Sequence, residues 1–369
     1  MNRLIIIGNG FDLAHGVKSK YEDFLLWYLK SKLVSLSSSN PSIDRLCTIK
    51  IKEEEERYNY GRLVPPSFDE IIDFQSFIEK LKETAFYLKI HSNFFNKILG
   101  ERRWIDIENI YYSCLKVSVR NGSKTVLHDT VLEYISSLNA DLDFLRDKFL
   151  EYLKAECNDL KYDLSQSPYL KLFNEDLNFK TNTNSDTLLE VNINGDSKAL
   201  LLNFNYTNLI KKYEETTALP GTSFDVIQIH GSIDSPGSIV FGFGDELDET
   251  YHEIERLNEN KFFEHIKSFR YFQDGNYQKL MAFVDSSDFE VLVLGHSLGL
   301  SDRTMLSQIF ENDNLKKVQL YYHKDQKDFT EKTYEISRHF KSKGRMREII
   351  VPFTESKRMP QVKMNTGEG

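Results

Sequence analysis

The first ten residues constrain the fold most. Arg3-Leu4-Ile5-Ile6-Ile7 runs on without polar alternation and is rich in β-branched residues. That is the pattern of a strand buried on both faces of a parallel sheet. The run breaks at Gly8-Asn9-Gly10, and Tyr21, Phe24, Leu25, Tyr28 and Leu29 then recur at helical spacing. The chain therefore opens as strand, glycine turn, helix. The apolar run is too short for a signal peptide. No stretch approaches the ~20 apolar residues of a membrane helix, so a cytoplasmic protein is expected.

Further along, residues 35–41 are Ser-rich and read as a loop, and residues 42–68 carry no clear pattern. Residues 69–160 read as helical, most clearly at Leu138, Leu142, Leu145, Phe149 and Leu153, and form a predicted insertion or cap. Residues 161–195 are polar and turn-like, a connector. Strand patterns return at 199–204, 226–229, 238–241, 291–294, 318–322 and 348–351, with helical stretches such as 303–311 between them. The prediction is α/β: a doubly wound, mostly parallel, Rossmann-like sheet built from 1–34 and 196–353. The tail 354–369 is polar and predicted to be disordered.

Composition narrows the function. The chain has 369 residues and a formal charge of −9. It lacks the basic field of a general nucleic-acid binder, so nucleic acid is not an expected partner. Cys47, Cys114 and Cys157 lie far apart, which excludes a zinc ribbon and fits a reducing compartment. No metal site is predicted.

Four motifs sit where strands end, the position at which open α/β sheets bind ligands. The first is Gly8-Asn9-Gly10-Phe11-Asp12-Leu13-Ala14-His15-Gly16. Glycines there let the backbone approach a pyrophosphate at a helix start. Leu13 stands where the dinucleotide fingerprint has its third glycine, so the simple match fails, and a plain turn is the alternative. The second is Asn203-Phe204-Asn205-Tyr206-Thr207-Asn208. Its amides suit ribose hydroxyls or a catalytic water, while Thr207 or Asn208 could instead cap the next helix. The third, Ile229-His230-Gly231-Ser232, puts a histidine where a general base would sit. A satisfied structural histidine is the bland reading.

The fourth, Gly295-His296-Ser297-Leu298-Gly299, spells the nucleophile elbow of α/β-hydrolases. Ser301-Asp302 reads as the cap of the following helix, however, which leaves Ser297 in a loop. Only His323 and His339 follow as triad histidines. The same loop could contact a nucleotide through backbone N–H groups and Ser297. In Trp104-Ile105-Asp106-Ile107-Glu108 the two acids are two apart and share no helix face, so capping is expected. Phe241-Gly242-Phe243-Gly244-Asp245 reads as a strand ending in a glycine loop, and residues 53–56 as a solvated acidic face.

Together these segments resemble the bacteriophage abortive infection AbiH family. Ile6 through Gly16, with Tyr21 and Phe24, is similar to its opening. Trp104 to Glu108, Asn203 to Thr207, His230-Gly231 and Gly295 to Asp302 are similar to its later motifs. AbiH proteins in turn look distantly sirtuin-like. Gly8, Gly10 and Gly16 fall at the spacing of the sirtuin glycine loop, with Asp12 in the serine place. Asn203 through Thr207 is similar to T-Q-N-x-D, and His230-Gly231 to the catalytic H-G.

The resemblance implies NAD as ligand. It implies contacts from Gly8, Asn9, Gly10, Phe11, Asp12, Gly16, Asn203, Gly295, His296, Ser297 and Asp302, and catalysis by His230 and Asn205. Thr207 departs from the family's aspartate, the segment after Gly16 is longer, and the zinc cysteines are absent. Protein deacylation is therefore not implied. An NAD glycohydrolase is, with a nucleotide-binding sensor and a serine hydrolase on Ser297 as rivals. A phage-derived trigger and self-association through the helical region complete the expected partners. All of this requires the loops near 8, 205, 230 and 296 to meet at one sheet edge and to form a single pocket there.

Overall fold

The computed structural model describes residues 1–36, 41–51, 68, 70–71, 73–84, 86–101, 105–121, 129–158, 164, 167–174, 198–216 and 224–362. The chain opens with β1 (Asn2–Ile7), α1 (Asn9–Ala14) and α2 (Tyr21–Val34). An inserted region follows: β2 (Ser42–Ile43), β3 (Cys47–Ile51), α3 (Phe74–Glu83), β4 (Phe86–Ile90), α4 (Asn93–Gly100), α5 (Ile107–Asn121) and α6 (Asp129–Asn158). Then come α7 (Pro168–Asn174), β5 (Ala199–Asn203), α8 (Leu209–Thr216) and β6 (Phe224–Gln228). Next are α9 (Glu249–Leu257), α10 (Lys267–Arg270), α11 (Asn276–Ser286) and β7 (Phe289–Leu294). The last elements are α12 (Arg303–Phe310), β8 (Leu315–Leu320), α13 (Gln326–Ser337) and α14 (Lys343–Ile349).

The central sheet has the order β6-β5-β1-β7-β8, and every pairing in it is parallel. The chain winds outward from β1 through β5 to β6, then returns to the other side of β1 for β7 and β8. This is the doubly wound, Rossmann-like order, and the gap between the ends of β1 and β7 is its switch point. All residues of β1 and β7 are buried. Period two divides them between two cores. Leu4, Ile6, Leu200, Leu202, Val291 and Val293 pack on one face, and Ile5, Ile7, Leu201, Leu292 and Leu294 on the other. With helices on both faces, no polar alternation can appear in such strands.

The inserted region builds a third core. Phe24, Leu25 and Leu29 of α2 join Phe77, Phe95, Leu115, Leu142 and Phe149 there. The region is not wholly helical as expected: β2, β3 and β4 form a small antiparallel sheet. β4 lies inside the stretch read as continuous helix. The connector 161–195 contains α7; its residues 161–163, 165–166 and 175–195, like residues 53–56, lie outside the described residues.

Two predicted strands are absent. Residues 238–241 follow a short 3-10 turn (Pro236–Ser238) and bury Ile239, Val240 and Phe241 as an irregular segment. There the Val240 N–H bonds to His230 O at 3.0 Å, which ties the segment to a loop rather than to a sheet edge. Residues 348–351 finish α14 and make only an isolated bridge from Ile350 to Val318. The tail predicted to be disordered from Thr354 is ordered through Val362. Met359 is buried, and the Val362 N–H bonds to Ala14 O at 2.9 Å. No described helix is long and apolar enough to cross a membrane.

Candidate functional site at the sheet's switch point

The four loops meet. The Gly8 N–H donates to Leu294 O at 3.0 Å and the Gly10 N–H to Gly295 O at 2.9 Å. Asn205 Nδ2 donates to Gly8 O at 3.1 Å. The Phe204 ring lies 4.2 Å from the His296 ring and 5.1 Å from the His230 ring, centroid to centroid. The glycines are needed by this convergence itself. A Cβ on Gly8 would stand 2.5 Å from His296 Cα, and one on Gly10 2.7 Å from Gly295 Cα. The turns after β1 and β7 thus pack backbone against backbone. Gly295 adopts φ +72° to permit it.

Beneath the turns lies a buried polar seam. Asp12 accepts from Asn205 Nδ2 at 2.9 Å and from Thr207 Oγ1 at 2.8 Å. Burial pushes its carboxyl up to about 7, although both hydrogen bonds pull the other way. Asn203 Oδ1 takes the Asn205 N–H at 3.1 Å. The acid of the glycine loop and the hydroxyl of the strand-end motif therefore face each other. His15 is structural. Its Nδ1 donates to Phe11 O at 2.7 Å, its Nε2 meets the Tyr213 hydroxyl at 2.6 Å, and burial lowers it to about 4.

Beside the seam is a cluster of buried charge. Lys267 Nζ donates to Glu108 Oε2 at 3.0 Å and to Asp302 Oδ1 at 2.9 Å. His230 Nε2 lies 3.0 Å from the same Asp302 oxygen, outside hydrogen-bond geometry. His296 Nε2 is 3.8 Å from Asp302 Oδ2, and its Nδ1 accepts the Leu298 N–H at 2.9 Å. Burial would raise Asp302, but Lys267 and His230 outweigh it and hold the carboxyl well below its ordinary range. Burial would lower Lys267, but Asp302 and Glu108 keep it charged. Burial and the Lys267 charge lower His230 despite Asp302, so its ring is neutral near pH 7. Burial lowers His296 to about 3. Burial raises Glu108 to about 7 against the pull of Lys267.

Asp302 precedes α12 as expected, yet its side chain makes no cap hydrogen bond and serves Lys267 instead. Asp106 does cap α5, accepting the Asn109 N–H at 3.0 Å. Glu108 was expected to act at the same helix start. It reaches instead to Lys267 and to the Gly242 N–H at 2.9 Å, fastening the inserted region to the sheet domain. Nothing in the local sequence marks Glu108 or Lys267, because their partners are remote in the chain. Trp104 lies outside the described residues.

Ser297 is exposed on a loop, with a 3-10 turn between β7 and α12, so it does not occupy a strand-to-helix elbow. Gly16 is also exposed, and Asn9, Gly10 and Gly295 are half-buried. Phe11, Asp12, Asn203, Asn205, His230, His296 and Asp302 are buried under this rim. Two cavities flank the site. One of about 480 Å³ is bordered by Asn208 and Asp234, and one of about 310 Å³ by Arg303 and His339. Neither is lined by His230 or Asn205, so the loops converge as expected but the single pocket expected between them is not among these cavities.

The family model for bacteriophage abortive infection AbiH matches residues 4–324. No curated protein matches the chain.

Proposed function

The chain belongs to the AbiH family, and from its site we propose an abortive infection protein that binds NAD at the switch point and hydrolyses it to nicotinamide and ADP-ribose. One observation carries this reading: the buried His230 Nε2 lies 3.0 Å from the ionised Asp302 and makes no well-aligned hydrogen bond among the described residues. The other ring nitrogen is held by the Phe204 backbone, so the neutral ring presents a lone pair. A proton taken there gains a charge-assisted contact with Asp302. General-base help of this kind is worth roughly 10²- to 10⁴-fold.

In the proposed reaction the C–N glycosidic bond breaks through an oxocarbenium-like ribose. Nicotinamide leaves with the bonding pair, water adds to the ribose carbon, and its proton passes to His230. NAD would lie over the rim formed by Asn9, Gly10, Gly16, Gly295 and Ser297. The buried Phe11, Asp12, Asn203, His296 and Asp302 would support that rim. Asn205 acts as a positioning residue, because its amide already holds Gly8 and Asp12. His230 is only 4% exposed, so turnover requires the site to open, and the Glu108 contacts to Lys267 and Gly242 that fasten the inserted region are where we place that opening. A closed resting state suits a protein whose activity depletes its own cell of NAD.

Incubation with NAD should release nicotinamide and ADP-ribose, faster from Glu108→Gln than from the parent. His230→Ala should abolish release and retain binding by calorimetry. Saturable binding without nicotinamide from either form would establish the sensor instead, the reading favoured by Thr207 in place of an aspartate. Absence of binding sinks both.

A further inference from the structure

The segment carrying Asp302 has a second face. There α12 and the turn after α13 border the cavity of about 310 Å³, lined by Arg303, Ser307, Arg338, His339, Lys341 and Lys343 among others. Four cations converge here in a chain whose formal charge is −9. Concave walls of one sign focus the field and concentrate counter-ions. Some of that charge is already engaged: Arg303 reaches Asp245 at 3.2 Å, Arg338 pairs with Glu335, and Lys343 donates to Phe340 O at 2.8 Å.

Three residues on these walls each hold a buried polar atom without a partner among the described residues: Arg303 Nε, Ser307 Oγ and His339 Nδ1. Buried polar groups are nearly always paired, and leaving one unpaired is costly. All three atoms are shut off from solvent, so a ligand completes them only as these side chains turn into the cavity. Their chemistry specifies it. His339 is 2% exposed and its Nε2 donates to Leu298 O at 2.8 Å. Burial lowers its pKa, so Nδ1 carries a lone pair and needs a donor. Arg303 Nε and the surrounding cations need acceptors. A monoprotonated phosphate group offers both, anionic oxygens and one P–OH. An ionised carboxylate offers only acceptors.

We propose that this cavity binds a phosphorylated small molecule, a phosphate monoester no larger than a sugar phosphate, at a site separate from the switch point. Its volume lies at the lower end of small-molecule sites, which start near roughly 300 Å³.

The test is calorimetry and thermal melting of the full chain with inorganic phosphate and with ribose 5-phosphate, at low salt and pH 6. Near that pH a monoester still carries a P–OH, its second pKa being about 6. Expected are saturable one-to-one binding and a rise in Tm. Arg338→Gln with Lys341→Gln should weaken binding on the order of tenfold or more. Both side chains are exposed, so the fold should survive. Ser307→Val is a second variant, expected to weaken binding without removing charge. His230→Ala should leave phosphate binding unchanged, which separates this site from NAD turnover. No saturable binding at millimolar phosphate overturns the proposal. So does binding that survives the double variant at full strength, or that disappears in His230→Ala.

Discussion

The protein buries charge at both ends of its central sheet, and the two sites are built differently. At the amino end, Arg3 on β1 and Glu290 on β7 are register partners, and Arg3 Nε donates to Glu290 Oε1 at 2.6 Å. A cation meets an anion across adjacent strands, and the pair joins two elements that already touch. At the carboxyl end, Lys267 is shared by Glu108 and Asp302, which come from separate parts of the chain. With His230 neutral, that cluster holds one more negative charge than positive. The balancing proton has two places to go: Glu108, raised to about 7, or the vacant Nε2 of His230. A matched pair can serve packing alone, whereas an unmatched one stores a demand for a proton. Asp12 falls between the two, buried with only neutral hydrogen-bond partners.

Four variants can break or sharpen this contrast. The largest effect is expected from Lys267→Met. It strands two buried carboxylates and should lower unfolding free energy by ~3–5 kcal/mol in urea titrations. A loss under about 1 kcal/mol would mean the cluster does not fasten the inserted region. Next is Asp12→Asn, whose effect depends on pH. Burial holds the folded carboxyl near 7, against an ordinary value of 3.8. The folded state therefore keeps a proton that the unfolded chain has released. That stabilisation is complete below about pH 4 and is lost as pH rises through 7. Asparagine mimics the neutral acid at every pH, so at pH 8 the variant should gain up to ~4 kcal/mol, at 1.36 per pKa unit, and near pH 4 nothing. A gain that does not change with pH would contradict the shift.

Glu108→Gln should cost about 1–2 kcal/mol, since Gln can still accept from Gly242 and Lys267 keeps Asp302. Hydrogen exchange at Gly242 should rise with it, and unchanged protection would detach Glu108 from the closed state. The smallest net change belongs to Arg3→Met with Glu290→Met, within about 1 kcal/mol of the parent, because a matched pair exchanges well for apolar packing. A double variant as unstable as either single one would show that this pair, too, does more than fill space.

The carboxyl edge was largely legible before the fold was known. The unbroken apolar runs of β1 and β7 could be read because both faces of each strand are buried. The glycines after them could be read as a turn because no side chain fits there. What stayed hidden depends on distant partners. Glu108 and Lys267 are 159 positions apart, and only the tertiary fold brings them together. β4 lies between helices and carries Tyr87 and Lys89 on its outer face, so a five-residue alternation was lost in a helical surround. Residues 238–241 have strand propensity but no neighbouring strand to pair with, and propensity alone does not make a strand.

The place of β1 at the middle of the sheet has a consequence for the birth of the protein. Its residue Arg3 pairs with Ala199 on one side and Glu290 on the other. A ribosome adding ~5–20 residues per second therefore emits β1 before either neighbour, the earlier of which follows roughly ten to forty seconds later. Throughout that interval the strand is an unclaimed sticky edge. Helpers that shield nascent chains, or early assembly of the inserted region around α2, must carry the molecule through it.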